Sequence, residues 1–413
     1  MRDPSLAVLR HRDFTLYTVS SFLWTIAMQV QATALAWQIY EMTHDPFKLG
    51  LVGLMEFLPA AVLALPAGHL ADRYDRRRII LVGVAGELTM AAVLVVLAAL
   101  HHVSVPAILL VALLFGIARA VATPAARALM PNLMPKEDLP RAVAWSSTSW
   151  QVATICGPGL GGLLYAWSPV MAYGATTLGL IGAAAAIVVM RGRAVAPPAS
   201  RDSAADRDLA SVLGGLALIF RNKLLLGAIS LDLFAVLFSG ATALIPVFAK
   251  DILGVGADAG GLLRSAQGLG AVATAALLTL QPIQRHVGAR LFMAVGVFGV
   301  AAVVFGLSQS YWLSFLAVLV LGAADMVSVY IRGTLVPLAT PDALRGRVVA
   351  VEAVFIGASN ELGTFVAGSA AALLGAVTAV MIGGSLTLVV TLAWGRLFPA
   401  LRRVDRFETL GPT

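Results

Sequence analysis

Long apolar segments recur along the whole chain, and they constrain its fold more than any other feature. The stretch from residue 78 to residue 100, for example, is aliphatic and small apart from Arg78, Glu87 and Thr89. A bilayer core about 30 Å thick requires about 20 apolar residues per helix. Hydrophobic residues make up 59% of the chain and charged residues 12%, which leaves more apolar surface than a soluble core can bury. The sequence therefore predicts a membrane protein.

The apolar segments are continuous, which is typical of helices, whereas barrel strands alternate in segments of about ten residues. At about 30 to 35 residues for a span and its loop, 413 residues allow about twelve spans. We therefore predict an all-α membrane protein with twelve transmembrane helices. They are expected near residues 14–41, 47–71, 78–100, 104–129, 141–165, 168–190, 223–250, 258–281, 287–308, 311–337, 346–371 and 374–397.

The first residues, MRDPSLAVLRHRDF, are polar and basic, and the apolar run that follows is long enough to span a bilayer. We therefore expect no cleavable signal peptide. The single cysteine, Cys156, cannot form an intramolecular disulfide, and its neighbours supply no second metal ligand. The sequence predicts neither a metal site nor a cofactor.

Basic residues concentrate on alternate loops, as expected for loops that stay in the cytoplasm. This pattern predicts that both termini are cytoplasmic, and it leaves Lys48 and Lys250 near the outer face. The formal charge of +7 is then explained by membrane topology, and the short basic loops do not indicate a nucleic-acid partner. The cytoplasmic basic residues are Arg2, Arg10, Arg12, Arg73, Arg76, Arg77, Arg78, Lys136, Arg141, Arg191, Arg193, Arg201, Arg207, Arg285, Arg290, Arg345, Arg347, Arg402, Arg403 and Arg406.

Two loops separated by half the chain are similar to each other. The sequence PNLMP at residues 131–135 is followed by Arg141. The sequence PLATP at residues 337–341 is followed by Arg347, so both features repeat at an offset of 206 residues. A weaker echo of the basic loop after helix 2, QRHVGAR at residues 284–290, follows helix 8. The repetition predicts two pseudo-symmetric halves of six helices each.

The boundary between the predicted halves is rich in proline, small and charged residues. We assign residues 1–190 to the N-terminal half and residues 223–413 to the C-terminal half, with a cytoplasmic linker at residues 191–222. Within the linker, Leu209–Phe220 has the pattern of an amphipathic helix that lies at the membrane surface.

The loop between helices 2 and 3 contains six charged residues in a chain where charge is scarce. Its sequence, GHLADRYDRRR at residues 68–78, resembles the Gly-x-x-x-Asp-Arg-x-Gly-Arg-Arg signature of the major facilitator superfamily, with Asp75 in place of the second glycine. Three features resemble the enterobactin-exporter-like branch of the superfamily. They are that substitution, the sequence TPDALRGRV at Thr340–Val348 and the sequence GPGLGG in helix 5. The resemblance implies the major facilitator fold and efflux of a siderophore or a drug.

The signature loop is a candidate conformational latch formed by Gly68, Asp72, Arg73 and Arg76. We expect Gly68 to let helix 2 approach a neighbour closely. Asp72 lies at the end of helix 2 and could stabilise the positive N-terminus of another helix. The resemblance implies that this neighbour is helix 11. The alternative is that the arginines only fix topology, which we favour for the last two arginines of the loop.

Helix 5 contains a second signature, formed by Gly157, Pro158, Gly161 and Gly162. It resembles the helix 5 motif of proton-coupled antiporters in the same superfamily. Small residues allow close helix crossing, and proline removes one backbone hydrogen bond and favours a bend. Alanines at positions 144 and 153 replace the two upstream glycines of that motif, so tight packing alone is the alternative.

Ionisable residues at membrane depth form the third signal, because each one is costly unless it is paired or faces water. These residues are Glu56, Glu87, Arg119, Asp232, Arg264, Asp325 and Glu361. The alternative for any one of them is a silent ion pair within the membrane, for instance between Arg264 and Glu361. For Glu87, on helix 3, we expect a structural role.

The resemblance implies that helices 1, 4, 7 and 10 line a central cavity. Arg119 lies near the functional helix 4 arginine of the family and would hold an anionic substrate or a carboxylate partner. Asp232 or Asp325 could take up a proton from one side and release it on the other. The candidates for substrate binding or proton coupling are Gln29, Gln31, Arg119, Asp232, Asp325 and Glu361. Trp24, Trp37, Phe115 and Trp150 are candidates for a hydrophobic site or for packing.

Enzymatic chemistry finds no support in the sequence, which contains no HExxH, phosphate-binding loop or nucleophile elbow. We therefore predict a carrier, not an enzyme, driven by an ion or substrate gradient. The expected function is export of a small, partly hydrophobic siderophore-type metabolite across the inner membrane by a monomer, in exchange for protons. The alternatives are a multidrug exporter, a lysophospholipid flippase and, more remotely, a receptor or scaffold that transports nothing.

Overall fold

The computed structural model of the protein describes residues 8, 10–135, 137–191, 214–341 and 344–407. Every regular element in these ranges is helical, which confirms the prediction of an all-α protein. Six long helices precede residue 192. They are α1 (Arg12–Thr43), α2 (Pro46–Arg73), α3 (Arg76–Ala99), α4 (Val105–Leu129), α5 (Leu139–Trp167) and α6 (Pro169–Val189).

Six more long helices follow residue 222, and a short one follows the last of them. They are α7 (Lys223–Ser239), α8 (Ala257–Leu280), α9 (Val287–Leu307), α10 (Tyr311–Leu338), α11 (Arg345–Leu374), α12 (Ala376–Leu397) and α13 (Pro399–Arg402). Apart from the C-terminus of α7, each long helix begins and ends within three residues of its predicted boundary.

The seventh predicted helix, near residues 223–250, corresponds to one apolar candidate span, Lys223–Ile252, but it is not one regular α-helix. The helix ends at Ser239, and Gly240 adopts φ 38°. Short turns continue the chain from Ala241 to Ile252, the last of them a π-helix. The break has two causes, because glycine in the left-handed region ends a helix and Pro246 donates no backbone hydrogen bond. A side chain at Gly240 would overlap Ala367 of α11.

Nine of the helices in the described ranges are long and apolar enough to cross a membrane. The other three long helices, α1, α5 and α8, are comparably long but more polar; α1, for example, contains three glutamines. Transmembrane helices are therefore confirmed, whereas the number of twelve spans stays a prediction.

Contacts between residues divide the chain into two compact units. The first comprises Met1–His44, Leu51–Ser200 and Val255–Ser265. The second comprises Asp45–Gly50, Arg201–Gly254 and Ala266–Thr413. The predicted halves, 1–190 and 223–413, and the linker at 191–222 remain predictions. Most of the linker lies outside the described residues.

The part of the predicted amphipathic helix that the structure describes, residues 214–220, is helical. Ile219 is buried in the apolar cluster of the second unit, whereas Phe220 is 61% exposed. The chain therefore presents one apolar side chain inward and one outward at this point.

In the first unit, α1 packs against α5 and α6, and α3 packs against α4 and α6. Glycine permits the close approach of α3 to α4, because a Cβ at Gly83 would lie 2.9 Å from the carbonyl oxygen of Ala118. In the second unit, α7 packs against α11 and α12, and α9 packs against α10 and α12. Leu225, Leu291 and Val336 are among the fully buried residues of its core.

Candidate functional site

The first unit contains an ion pair between two transmembrane helices. The Nη1 atom of Arg119, on α4, lies 3.6 Å from Oε2 of Glu56, on α2. Gly116 lies one turn before Arg119, and a Cβ there would be 2.5 Å from the carbonyl oxygen of Glu56. The glycine therefore lets α2 and α4 approach closely enough for the pair to form.

A small cavity adjoins this ion pair. Gln31 contributes to its wall, and its side chain is buried with no hydrogen-bond partner for either amide atom among the described residues. A buried amide without partners is costly, because both its donor and its acceptor have lost water. The cavity thus presents an amide and a guanidinium to a polar group. Its lining residues are Met28, Gln31, Ala32, Glu56, Phe115, Gly116 and Arg119.

Glu87 forms a separate buried contact in the first unit. The side chain is fully buried, and its Oε2 atom accepts a hydrogen bond of 2.6 Å from the indole Nε1 of Trp24. Its Oε1 atom has no partner among the described residues. Glu87 also interacts electrostatically with Arg119 and Glu56. Glu87 therefore combines a hydrogen bond from Trp24 with electrostatic interactions, and it does not form one simple ion pair.

The second unit contains a buried network around Arg332, on α10. Its Nη2 atom lies 2.7 Å from Oδ1 of Asp232, on α7, and its Nη1 atom lies 3.5 Å from Oε1 of Glu352, on α11. The Nε atom donates a hydrogen bond of 3.3 Å to Oγ of Ser328. Arg332 is only 3% exposed, so the guanidinium joins three helices away from bulk water.

Asp325 lies beside this network, on the same helix as Arg332. It shares a small cavity with Asp232, Phe298 and Ser328, and it interacts electrostatically with both Asp232 and Arg332. The cluster therefore places three carboxyl groups around one guanidinium. With all three ionised the cluster would carry a net negative charge in a buried setting, so it is suited to hold a proton.

Sequence reasoning missed Arg332 and Glu352. Asp325, Ser328 and Arg332 are spaced three and seven residues apart and so lie on one face of α10, a pattern that was available in the sequence. Arg332 was overlooked because it lies near the predicted end of the helix, where arginine is common. Glu352 lies in the apolar run at residues 348–356, so the signal used for Glu56 and Glu87 could have found it.

The predicted cavity residues fall in both units. Gln29 donates a hydrogen bond of 3.4 Å to the carbonyl oxygen of Thr154, on α5. Glu361 lies on α11, nine residues after Glu352 and so on the opposite side of that helix. Arg264 belongs to the first unit and Glu361 to the second. Of the aromatic candidates, Phe115 and Trp37 are buried, whereas Trp150 is exposed.

The arginines of the signature loop hold helix ends in place. Arg76 donates a hydrogen bond of 2.9 Å to the carbonyl oxygen of Ala128, near the C-terminus of α4. Arg77 donates hydrogen bonds of 2.9 and 2.8 Å to the carbonyl oxygens of Ile187 and Val188, at the C-terminus of α6. A cation at a helix C-terminus is stabilised by the unpaired carbonyl groups. For Arg77, the structure thus adds a local structural role to the topological one.

The other residues of the proposed latch leave it a prediction. At Gly68, no described atom lies within 4 Å of the position that a Cβ would occupy. Arg73 is exposed, and the side chain of Asp72 lies outside the described part of the chain. Asp75, which replaces the glycine of the signature, caps α3 by accepting a hydrogen bond of 2.9 Å from the backbone of Arg77.

The helix 5 motif lies at two close helix contacts within the first unit. A Cβ at Gly161 would be 3.0 Å from the Cα of Val30, on α1. On another side, a Cβ at Gly162 would be 2.8 Å from the Cα of Gly261, on α8. Gly157 also faces α1, against Gln29. Pro158 is accommodated within α5, which is one continuous helix.

Long apolar helices with charged groups buried between them are typical of multi-pass integral membrane transporters. The chain belongs to the transmembrane secretion effector family, whose model matches residues 4–409. The family match and the similar proteins show that this chain is a transporter of the major facilitator type and not an enzyme. Both the fold and the family agree with the resemblance seen in the signature loop.

Named transport proteins are similar to the chain in sequence. The enterobactin exporter EntS of Citrobacter koseri (strain ATCC BAA-895 / CDC 4225-83 / SGSC4696) is 26% identical over 407 residues, which cover 97% of this chain and 95% of that protein. The staphyloferrin A transporter of Staphylococcus aureus (strain NCTC 8325 / PS 47) is 29% identical over 148 residues. That match spans 36% of this chain and only 37% of the staphyloferrin A transporter.

Solved structures of transporters share the fold. A POT family transporter in complex with 5-aminolevulinic acid superposes with a TM-score of 0.72 at 13% identity, covering 94% of this chain and 96% of that one. A bacterial homologue of the human lysosomal transporter Spinster gives a TM-score of 0.69 at 16% identity and covers 97% of both chains. At these identities the likeness establishes the fold alone.

Proposed function

We propose that the protein exports a small, partly hydrophobic molecule of the siderophore type across the bacterial inner membrane, by alternating access and in exchange for protons. The observation that carries the proposal is the pair of charged clusters buried among membrane helices, one around Arg119 and one around Arg332. Buried charge of this kind is retained where a substrate or an ion passes. The names of two similar proteins supply the substrate class.

The first cluster is the candidate substrate site. Arg119 offers a positive charge to an anionic group, and Gln31 offers an amide donor and acceptor that have no partner among the described residues. At about 4 Å and an effective dielectric near 20, the attraction between two unit charges is about 4 kcal/mol before desolvation is subtracted. Phe115 and Met28 supply the apolar wall that a partly hydrophobic substrate requires.

The second cluster is the candidate proton site. Protonation of Asp232 would weaken its ion pair with Arg332, and Asp325 lies close enough to take part in the same equilibrium. Movement of one charge across a potential of 100 mV is worth about 2.3 kcal/mol, which can drive export. Glu361 remains a candidate proton carrier on α11.

Alternating access requires two halves that move, and for these we retain residues 1–190 and 223–413, joined by the cytoplasmic linker at 191–222. Both termini are then cytoplasmic and the working unit is a monomer. The latch and the helix 5 motif are proposed to bias the direction of transport. If the latch operates, Asp72→Asn abolishes most of the flux although the protein still inserts.

The test uses the purified protein in liposomes with a pH gradient, and enterobactin and staphyloferrin A as candidate cargoes. We expect proton-driven transport of one of them by the wild type, and its loss in Asp232→Asn or in Asp325→Asn. Glu137→Gln, in an exposed loop, is the matched control and should transport normally. If both Asn variants retain proton-driven exchange, neither aspartate is the essential proton carrier.

A deletion strain tests the same function in the cell under iron limitation. Loss of a chelator outside the cell and its accumulation inside, both reversed by the wild-type gene, would support siderophore export. An unchanged chelator profile together with sensitivity to lipophilic drugs would overturn the siderophore assignment in favour of multidrug efflux.

A further inference from the structure

Glu87 is a titratable group that neither candidate site uses. It is the twelfth residue of α3, which spans Arg76–Ala99, so it lies halfway along a membrane helix. Its side chain is fully buried. An ionisable group at this depth of a membrane helix costs free energy, because it has lost its contact with water. We therefore expect Glu87 to have a role beyond packing.

The contacts of Glu87 do not satisfy an ionised carboxylate. Trp24 donates one hydrogen bond, of 2.6 Å, to Oε2, and Oε1 has no partner among the described residues. An ionised carboxylate accepts several hydrogen bonds or pairs with a cation when it is buried. A neutral carboxylic acid fits better, with Oε2 as the carbonyl oxygen that accepts from Trp24 and Oε1 as the hydroxyl.

The charged groups around Glu87 are Arg119 of α4 and Glu56 of α2. They already form an ion pair with each other. Helix α6, which also packs against α3, contains no acidic or basic residue, and the charged residues of α1 lie near its ends. With both glutamates ionised, two negative charges would share one guanidinium, whereas one proton on Glu87 makes the group neutral.

We propose that Glu87 is a proton-binding site of the first unit, occupied by a proton in this conformation, and that its protonation state governs Arg119. In the protonated state, Glu87 does not compete for Arg119, and an anionic ligand competes there with Glu56. Loss of the proton to water leaves a carboxylate that competes for the same guanidinium. No other bond forms or breaks in this step.

Infrared difference spectroscopy of the full-length protein in liposomes tests proton binding without any transport assay. The spectrum of the wild type minus Glu87→Gln should contain the carbonyl stretching band of a protonated carboxylic acid, and this band should shift in heavy water. Glu137→Gln, the exposed control, should produce no such band. A carboxylate band in place of the carbonyl band at neutral pH would overturn the proposal.

A second variant keeps the test informative if Glu87→Gln is poorly folded. Trp24→Phe removes the hydrogen bond to Oε2 and leaves Glu87 in place. We expect the carbonyl band of Glu87 to move to higher frequency, because a hydrogen bond to a carbonyl oxygen weakens its double bond. An unchanged acid band in this variant would show that the band does not arise from Glu87.

The effect on Arg119 rests on the proposed function, and enterobactin is its probe. Binding to the wild type should weaken as the pH rises and Glu87 loses its proton, whereas Glu87→Gln should bind with an affinity that varies less with pH. Equal pH dependence in both proteins would refute the control of Arg119. If neither protein binds enterobactin, the proposed function is weakened, and the infrared result still decides whether Glu87 holds a proton.

Discussion

The buried network of the second unit gives the sharpest prediction about stability. Replacement of Arg332 by methionine keeps an unbranched apolar stem but leaves Asp232 and Glu352 without their shared cation. Removal of one partner of a buried ion pair typically costs about 3–5 kcal/mol, because the remaining charge stays desolvated. We expect Arg332→Met to lower the free energy of unfolding by about that amount at neutral pH.

The measurement is reversible denaturant unfolding of the purified protein in detergent micelles at several pH values. The loss caused by Arg332→Met should shrink as the pH falls, because protonated carboxyl groups no longer need the cation. Addition of Asp232→Asn should recover part of the loss, since one unpaired charge is then removed. Such coupling between contacting residues is typically about 0.5–3 kcal/mol.

The matched control is Arg290→Met, which removes an exposed arginine of α9. Surface substitutions usually change stability by less than about 0.5 kcal/mol. A loss below about 1 kcal/mol for Arg332→Met would refute the view that Arg332 holds α7, α10 and α11 together, because the typical cost of leaving a buried charge unpaired is several times larger.

Two further predictions concern contacts at helix ends and crossings. Gly162→Val should lower the free energy of unfolding of the first unit by about 1–3 kcal/mol, since the new side chain overlaps the backbone of Gly261. Denaturant unfolding measures this loss. The hydrogen bond from the backbone N–H of His286, with the positive charges nearby, holds the pKa of Asp405 below its usual range. The attachment of residues 404–405 to the N-terminus of α9 should therefore persist above the usual pKa of Asp405. It should weaken as the pH falls through the lowered pKa of that group. The measurement is hydrogen exchange at the backbone N–H groups of Val287 and Gly288. These groups donate to the carbonyl oxygens of Asp405 and Val404 and are protected only while the attachment holds.

Each of these predictions has a control. Gly174→Ala meets no described atom within 4 Å and should be tolerated, so equal losses at positions 162 and 174 would contradict the crossing argument. Asp405→Asn should exchange faster than the wild type at neutral pH and similarly at acid pH. Equal exchange at neutral pH would show that the carboxylate does not hold the segment.

The positions of the helices could be predicted because each depends on a local property. A segment such as residues 287–308 is long and apolar, and the thickness of the bilayer sets how long it must be. The seventh helix is the exception, because its break depends on contacts between Gly240 and α11 as well as on its own composition.

The candidate sites were only partly predictable. Arg119, Asp232 and Asp325 could be named as charged residues within apolar segments, and Glu56 and Glu87 were recognised at the same depth. Their partners could not be named, because Arg332 and Asp232 are 100 positions apart and Trp24 and Glu87 are separated by 63. No local pattern joins residues at such separations.

The sequence by itself therefore determined that this chain is helical, lies in a membrane and carries charge within its spans. Only the tertiary structure decided which charges pair, which hydrogen bond the buried Glu87 accepts and where the regular α-helix of the seventh span ends. The physical reason is that transfer into lipid depends on the composition of a segment, whereas an ion pair or hydrogen bond depends on atoms that folding brings into contact.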